Sequence, residues 1–329
     1  MSTGAAAVSE WLTRHTAPAC LGAIVIGVLL GTLVPGPGEA ASVLVTPALV
    51  VLLVTTFTEI PLERLTGMRG GGRFAVTVLV LNFVLVPLVV AGLHWAIPLA
   101  STIVVAVLIV LLAPCIDYVI VFTGLAGGAS ARLLALTPVL MVVQIVLLPV
   151  WLRLILGERA TVLITPGPFL AALVTFIVVP LLAALVLRLL ARRSACARRT
   201  LSVSEHVMMP VMLLTFIVIT AAEVRTVLPY LPDLGPAVLA CVLFAAVMVG
   251  LGWGIGRVVL ADGGERRALV FTGVTRNSLV VLPLVRAVDR EGPGTAAVVT
   301  QTLVELVVMA VLVWLVPRIV PSTAMSENR

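Results

Sequence analysis

The chain has 329 residues, of which 61% are hydrophobic and 11% charged, with a formal net charge of +6. A mean hydropathy of +1.24 excludes a soluble domain of this size, because such a composition would leave its surface unsolvated. All 21 basic residues are arginine, and their spread over alternate loops excludes a nucleic-acid face, where they would cluster.

Apolar runs of about 17–25 residues between short polar loops predict transmembrane helices, and the alternation of barrel strands is missing. In chain order, residues 1–16 form an N-terminal segment with no cleavage-type site, so the first span is read as retained. Ten spans follow, at 17–34, 43–58, 74–97, 101–126, 133–156, 168–190, 206–222, 236–260, 267–288 and 295–317, and residues 318–329 form the tail. Pro35, Pro37, Pro98, Pro166, Pro232 and Pro293 fall between spans, where they punctuate. With the N-terminus inside, the cytoplasmic segments carry fifteen arginines, among them Arg64, Arg69, Arg73, Arg192, Arg193, Arg198 and Arg199. The outside loops carry five, and Arg276 lies within a span. That asymmetry predicts a multi-pass protein of the cell membrane with both termini cytoplasmic.

Four cysteines at positions 20, 115, 196 and 241 lack a CxxC pair, and His15, His94 and His206 have no metal-site spacing. No structural metal or cofactor is expected. No HxxxH motif or soluble output domain points to an enzyme or sensor.

The chain aligns on itself at an offset of 163 residues. Pro47 then meets Pro210, Pro114 meets Asn277, Cys115 meets Ser278, Thr137 meets Thr300 and Trp151 meets Trp314. The offset brings five spans onto five without a gap, dividing the chain into repeats at 17–156 and 168–317. Five is odd, so the repeats run in opposite directions across the membrane. An inverted repeat suits alternating access around a midplane site.

Two spans carry polar breaks at matching places, which is the best sequence pointer to a substrate site. In span four, Ala113-Pro114-Cys115-Ile116-Asp117 sets a proline, a thiol and a carboxylate at mid-membrane depth. In span nine, the break is Thr275-Arg276-Asn277-Ser278. Proline removes a backbone donor, and freed backbone groups at that depth must be satisfied by protein or by a water cavity. The half-helices that follow present unpaired N–H groups, which suit an oxygen-rich or anionic solute. Cys115 is a soft ligand for a thiophilic species. Cys115, Asp117, Asn277 and Ser278 are therefore the expected substrate contacts. Asp117 and Glu305 are acids where charge is costly, and Arg276 is placed to pair with either one, so these three are the expected ion-coupling groups. Thr123, Thr137, Gln144 and Asn82 are candidates for the cavity lining or for interhelix hydrogen bonds.

The stretch Ala113-Pro114-Cys115-Ile116 with Val119-Ile120-Val121-Phe122 and Leu125-Ala126-Gly127-Gly128 resembles the fourth-span signature of arsenite efflux permeases. These belong to the bile acid/arsenite/riboflavin transporter superfamily. Phe271 to Ser278 resembles the family's ninth-span break, and Leu303-Val304-Glu305-Leu306-Val307 resembles its tenth-span acidic stretch. The resemblance implies an all-α polytopic fold in which broken helices four and nine cross. It implies a core domain and a panel domain, the panel made of spans one, two, six and seven. It further implies export of trivalent arsenite in exchange for protons, with the essential thiol at Cys115 and the acidic role at Glu305. As(III) is then substrate at Cys115, not a structural metal. The pattern departs from the family where Pro114 replaces an arginine and Asp117 a small apolar residue. It departs again where Leu279, Val280 and Val281 replace an acid that usually follows the asparagine pair. Sodium symporters of the superfamily use an acidic or amide group there, so its absence argues against sodium. The rival reading is a sodium- or proton-coupled transporter of a small organic anion.

Overall fold

The computed structural model describes residues 16–33, 37–59, 71–116, 118–157, 171, 174–289 and 292–321. The described residues form helices throughout, with one isolated β-bridge. In chain order they are α1 (Thr16–Leu33), α2 (Pro37–Glu59), α3 (Gly72–Ala96), α4 (Ser101–Leu112), α5 (Tyr118–Leu125) and α6 (Ser130–Leu156). There follow α7 (Val174–Ala191), α8 (Ala195–Val227), α9 (Gly235–Val259), α10 (Gly263–Val274), α11 (Ser278–Asp289) and α12 (Pro293–Ile319). Single π-turns interrupt α3 at Leu81–Leu85 and open α7 at Val174–Val178.

Among the described residues, seven helices are long and apolar enough to cross a membrane, and Val43–Thr58 and Ile103–Leu112 are shorter apolar helices. Large apolar side chains stand in the open along them, such as Val142 at 62% and Leu154 at 68% exposure. Water would not tolerate so continuous an apolar face, whereas lipid does. The chain is thus an all-α polytopic membrane protein.

Most ends fall within a few residues of the sequence expectation. Pro37 and Pro293, expected in loops, instead open α2 and α12, where proline's missing N–H has no helical partner to lose. The seventh span differs most. Residues 195–205, expected as a polar loop, continue the helix, so α8 runs for 33 residues. Its Ala, Arg and Leu residues are good helix formers, and polarity alone does not end a helix.

The chain divides into two compact units, each drawn from two stretches: residues 1–63 with 172–225, and 64–171 with 226–329. The first unit holds α1, α2, α7 and most of α8, the four spans that the resemblance assigns to a panel. Within it, α1 crosses α8 at two glycines. A Cβ on Gly27 would lie 2.7 Å from Thr220 Cβ, and one on Gly31 would lie 2.6 Å from the Ala221 carbonyl. Arg225 Nε closes that crossing by donating to the Gly31 carbonyl at 2.6 Å. Buried Thr58 and Ser204 share a hydrogen bond of 3.0 Å, and Arg188 donates to the Thr58 carbonyl at 2.6 Å.

The second unit holds the other eight helices. Their lengths pair off: α3 and α9 have 25 residues each, α4 and α10 have 12 each, and α6 and α12 have 27 each. Gly252 and Gly256 let α9 lie close against α10, since a Cβ on Gly252 would meet Val270 Cα at 2.9 Å. At one end of the unit, Asp262 caps α10 by accepting from Glu265 N at 2.9 Å. Glu265 pairs with Arg132 of α6. Arg267 donates to the Ala126 carbonyl and to the Val320 carbonyl, each at 2.8 Å. Gly127, at φ +64°, makes the turn after α5 that presents Ala126 to that guanidinium. These contacts tie α5, α6, α10 and α12 together at the ends of α5 and α10 opposite the two breaks.

Candidate functional site

Both expected breaks occur, in the second unit, and they meet each other. Helix α4 stops at Leu112 and α10 at Val274, and Ala113 and Thr275 each leave the helix in an extended conformation. Pro114 and Arg276 then form an antiparallel β-bridge. Asn277 N donates to the Ala113 carbonyl at 2.9 Å, and Cys115 N donates to the Thr275 carbonyl at 3.4 Å. Backbone groups that proline and unwinding would leave stranded in the membrane interior are thus satisfied across the bridge.

Arg276 is the largest fully buried side chain, at 0% exposure. Its guanidinium donates through Nη2 to Asn82 Oδ1 at 3.0 Å, to the Thr272 carbonyl at 2.7 Å and to the Gly273 carbonyl at 2.8 Å. Nη1 reaches the Leu111 carbonyl at 3.4 Å. The Phe244 ring lies under the guanidinium carbon, 5.3 Å from ring centre. Asn82 sits on the π-turn of α3, a distortion frequently found at functional sites. Its amide nitrogen donates to the Val78 carbonyl and Thr272 Oγ1, which turns its oxygen to Arg276.

Glu305 of α12 is 4% exposed. Sequence reading set Arg276 opposite Asp117 or Glu305 as an ion pair. The structure gives Glu305 a different bond to the same residue. Glu305 Oε2 accepts from the backbone N–H of Arg276 at 2.9 Å and from Gln301, and Oε1 accepts from Tyr118 hydroxyl at 2.8 Å. The carboxylate thus holds the break by its main chain, while among the described residues the guanidinium bonds neutral oxygens. Asp117 lies outside the described residues. A small cavity opens beside Glu305, bordered by Cys241, Phe244, Val274 and Gln301.

Asn277 caps α11, its Oδ1 accepting from Val280 N at 3.2 Å. Its Nδ2 and the hydroxyl of Ser278 are buried and have no partner among the described residues. Cys115 is 1% exposed at the other side of the bridge. Cys115, Arg276, Asn277 and Ser278 are therefore brought together, with Glu305 behind them. Thr123 Oγ1 on α5 and both amide atoms of Gln144 on α6 are buried without a partner among the described residues, and Thr137 bonds within its own helix. None of these three borders the cavity beside Glu305.

Tyr118 and Gln301 both hydrogen-bond Glu305, and sequence reasoning passed over their side chains. Tyr118 follows the first break directly, and Gln301 lies one turn before Glu305. Each position relative to a flagged residue was the available signal. Among the described residues, no group of three His, Cys, Asp or Glu side chains has the arrangement of a metal site.

Residues 46–229, more than half of the chain, match the model of the family described as Sodium Bile acid symporter family. No curated protein matches the chain.

Proposed function

The chain belongs to the Sodium Bile acid symporter family, and on that premise we propose that it is a secondary active transporter that exports trivalent metalloid by proton exchange. It is a membrane transporter and not an enzyme. The observation that carries the proposal is the buried pair of breaks, with the Cys115 thiol on one side and unpartnered Asn277 Nδ2 and Ser278 Oγ on the other. Arsenite at neutral pH is a small trihydroxide. One thiol bonds As(III), and amide and hydroxyl groups suit its oxygens. Antimonite shares that chemistry. Glu305, and Asp117 by its place in the sequence, are the groups assigned to the coupling proton. Thr123 and Gln144 hold buried polar atoms available to a passing solute.

Ten spans in two inverted repeats, at 17–156 and 168–317 with both termini cytoplasmic, complete the proposal. Three pairs of helices of equal length support the repeat, as does a bridge whose two strands run antiparallel. The arginine asymmetry supports the orientation. Reporter fusions after Arg198 and after Arg329 should both read cytoplasmic, and an external signal at either would refute the topology.

A second reading, coupled transport of a small organic anion, is favoured by the family match itself. The thiol separates the two readings. In cells lacking other arsenite pumps, the chain should lower arsenite accumulation, and Cys115→Ser should abolish the effect. Replacement of Cys20, Cys196 and Cys241 should be tolerated. Full resistance in Cys115→Ser would remove the metalloid assignment and leave the anion reading.

A further inference from the structure

The oxygens around the Arg276 guanidinium are of one kind. Leu111 lies in the last turn of α4, and Thr272 and Gly273 lie in the last turn of α10, so their carbonyls belong to the partly negative ends of two half-helices. Asn82 adds an amide oxygen aimed by two hydrogen bonds. Carbonyl and amide oxygens at the C-terminal ends of unwound half-helices are the donors with which broken-helix transporters hold sodium. They are also the donors that a hard, singly charged cation prefers.

Here the cation is already present and is covalently attached. Nη2 takes three of the four oxygens at 2.7–3.0 Å, and Nη1 takes the fourth at 3.4 Å. The side chain is wholly buried, and among the described residues the guanidinium's hydrogen-bond acceptors are these four oxygens. A sodium ion among the same oxygens would meet a like charge at contact distance and would have to displace the guanidinium from all four of them. The sodium implied by the family's description therefore does not fit this oxygen cluster.

We infer that Arg276 is a tethered cation that takes the place of a coupling sodium at the helix-end oxygen cluster, making this chain indifferent to sodium. The inference rests on the reading of the chain as an ion-coupled transporter, and it concerns the ion, not the solute. A fixed charge cannot be released with each cycle. It neutralises the helix ends permanently and leaves the carboxylate of Glu305, bonded to the same residue's main chain, to carry the exchangeable ion.

Thermal denaturation of the purified, full-length protein in detergent tests this without any transported solute, so failure of the metalloid reading leaves the result intact. Sodium chloride is titrated against choline chloride at constant ionic strength. The midpoint of the wild-type protein should not respond to sodium. Arg276→Gln vacates the cluster, and its lowered midpoint should rise saturably with sodium by about 3 °C or more. Arg276→Lys, which keeps a tethered cation, should be sodium-indifferent. A saturable sodium rise in the wild-type protein overturns the inference, as does a folded Arg276→Gln that ignores sodium. If Arg276→Gln yields no folded protein, Arg276→Lys decides in the same titration. Indifference supports the tethered cation, and a saturable rise rejects it.

Discussion

The two breaks face each other through one bridge but bring different chemistry to it. In the first break the described residues, Ala113 to Ile116, carry the Cys115 thiol and contribute mainly main chain: the Ala113 carbonyl accepts from Asn277, and the Leu111 carbonyl just before it accepts from Arg276. The second, Thr275 to Ser278, supplies a guanidinium, an amide and two hydroxyls, all buried. The main chain exchanges one hydrogen bond in each direction across the bridge, so the difference between the breaks lies in their side chains. The crossing thus has two unlike sides, with sulfur on one and buried hydrogen-bonding groups on the other.

That contrast breaks most severely at Arg276. Arg276→Met fills much of the volume but strands the carbonyls of Leu111, Thr272 and Gly273 and the oxygen of Asn82. At about 1–3 kcal/mol for each buried acceptor left unsatisfied, the loss is on the order of 3 kcal/mol or more, read as a lowered melting midpoint in detergent. A loss below about 1 kcal/mol would mean that the second break does not depend on its cation.

Glu305→Gln comes next. The amide keeps the volume but replaces one carboxylate oxygen with a donor that faces Tyr118 or the Arg276 N–H, costing about 1–3 kcal/mol. Its transport effect should be larger than its stability effect. A pH gradient should drive uptake into everted vesicles for the wild-type protein and not for the variant. Unchanged pH-driven uptake would make Glu305 a structural brace for the second break.

The smallest effect is expected in the first break. Pro114→Ala restores a donor and loosens the unfolded chain, which should cost under about 1 kcal/mol, because the bridge draws its first-break hydrogen bonds from Ala113 and Cys115. A loss as large as that of Arg276→Met would show that the proline, not the opposing arginine, holds the crossing open.

The sequence made the breaks legible because each violates a rule that an apolar helix otherwise obeys. Proline in mid-span, and Arg-Asn-Ser in mid-span, have few explanations. The family match fits the superfamily to which the span-four and span-nine motifs pointed. What stayed hidden is which atom of a residue makes the bond. Arg276 and Glu305 read as an ion pair because charges are expected to meet, yet the carboxylate found the main-chain N–H and the guanidinium found helix-end carbonyls, partners that exist only once α10 has stopped. Asn82 was legible as an interhelix hydrogen-bonding residue, but its aim at Arg276 depends on a π-turn in α3 that no local residue announces. Hydropathy also misplaced the start of α8, reading the arginines after Ala195 as a loop although they are good helix formers.

The bridge has a consequence for how the protein is made. Leu111 and Arg276 are 165 residues apart. At a synthesis rate of about 5–20 residues per second, α4 and α5 exist for roughly 8–33 s before the residues that satisfy their break have been translated. During that interval the carbonyls of Leu111 and Ala113 sit in the nascent chain without Arg276 and Asn277. The first break therefore stays unfinished until the second has been made, and the chain completes its crossing late in synthesis.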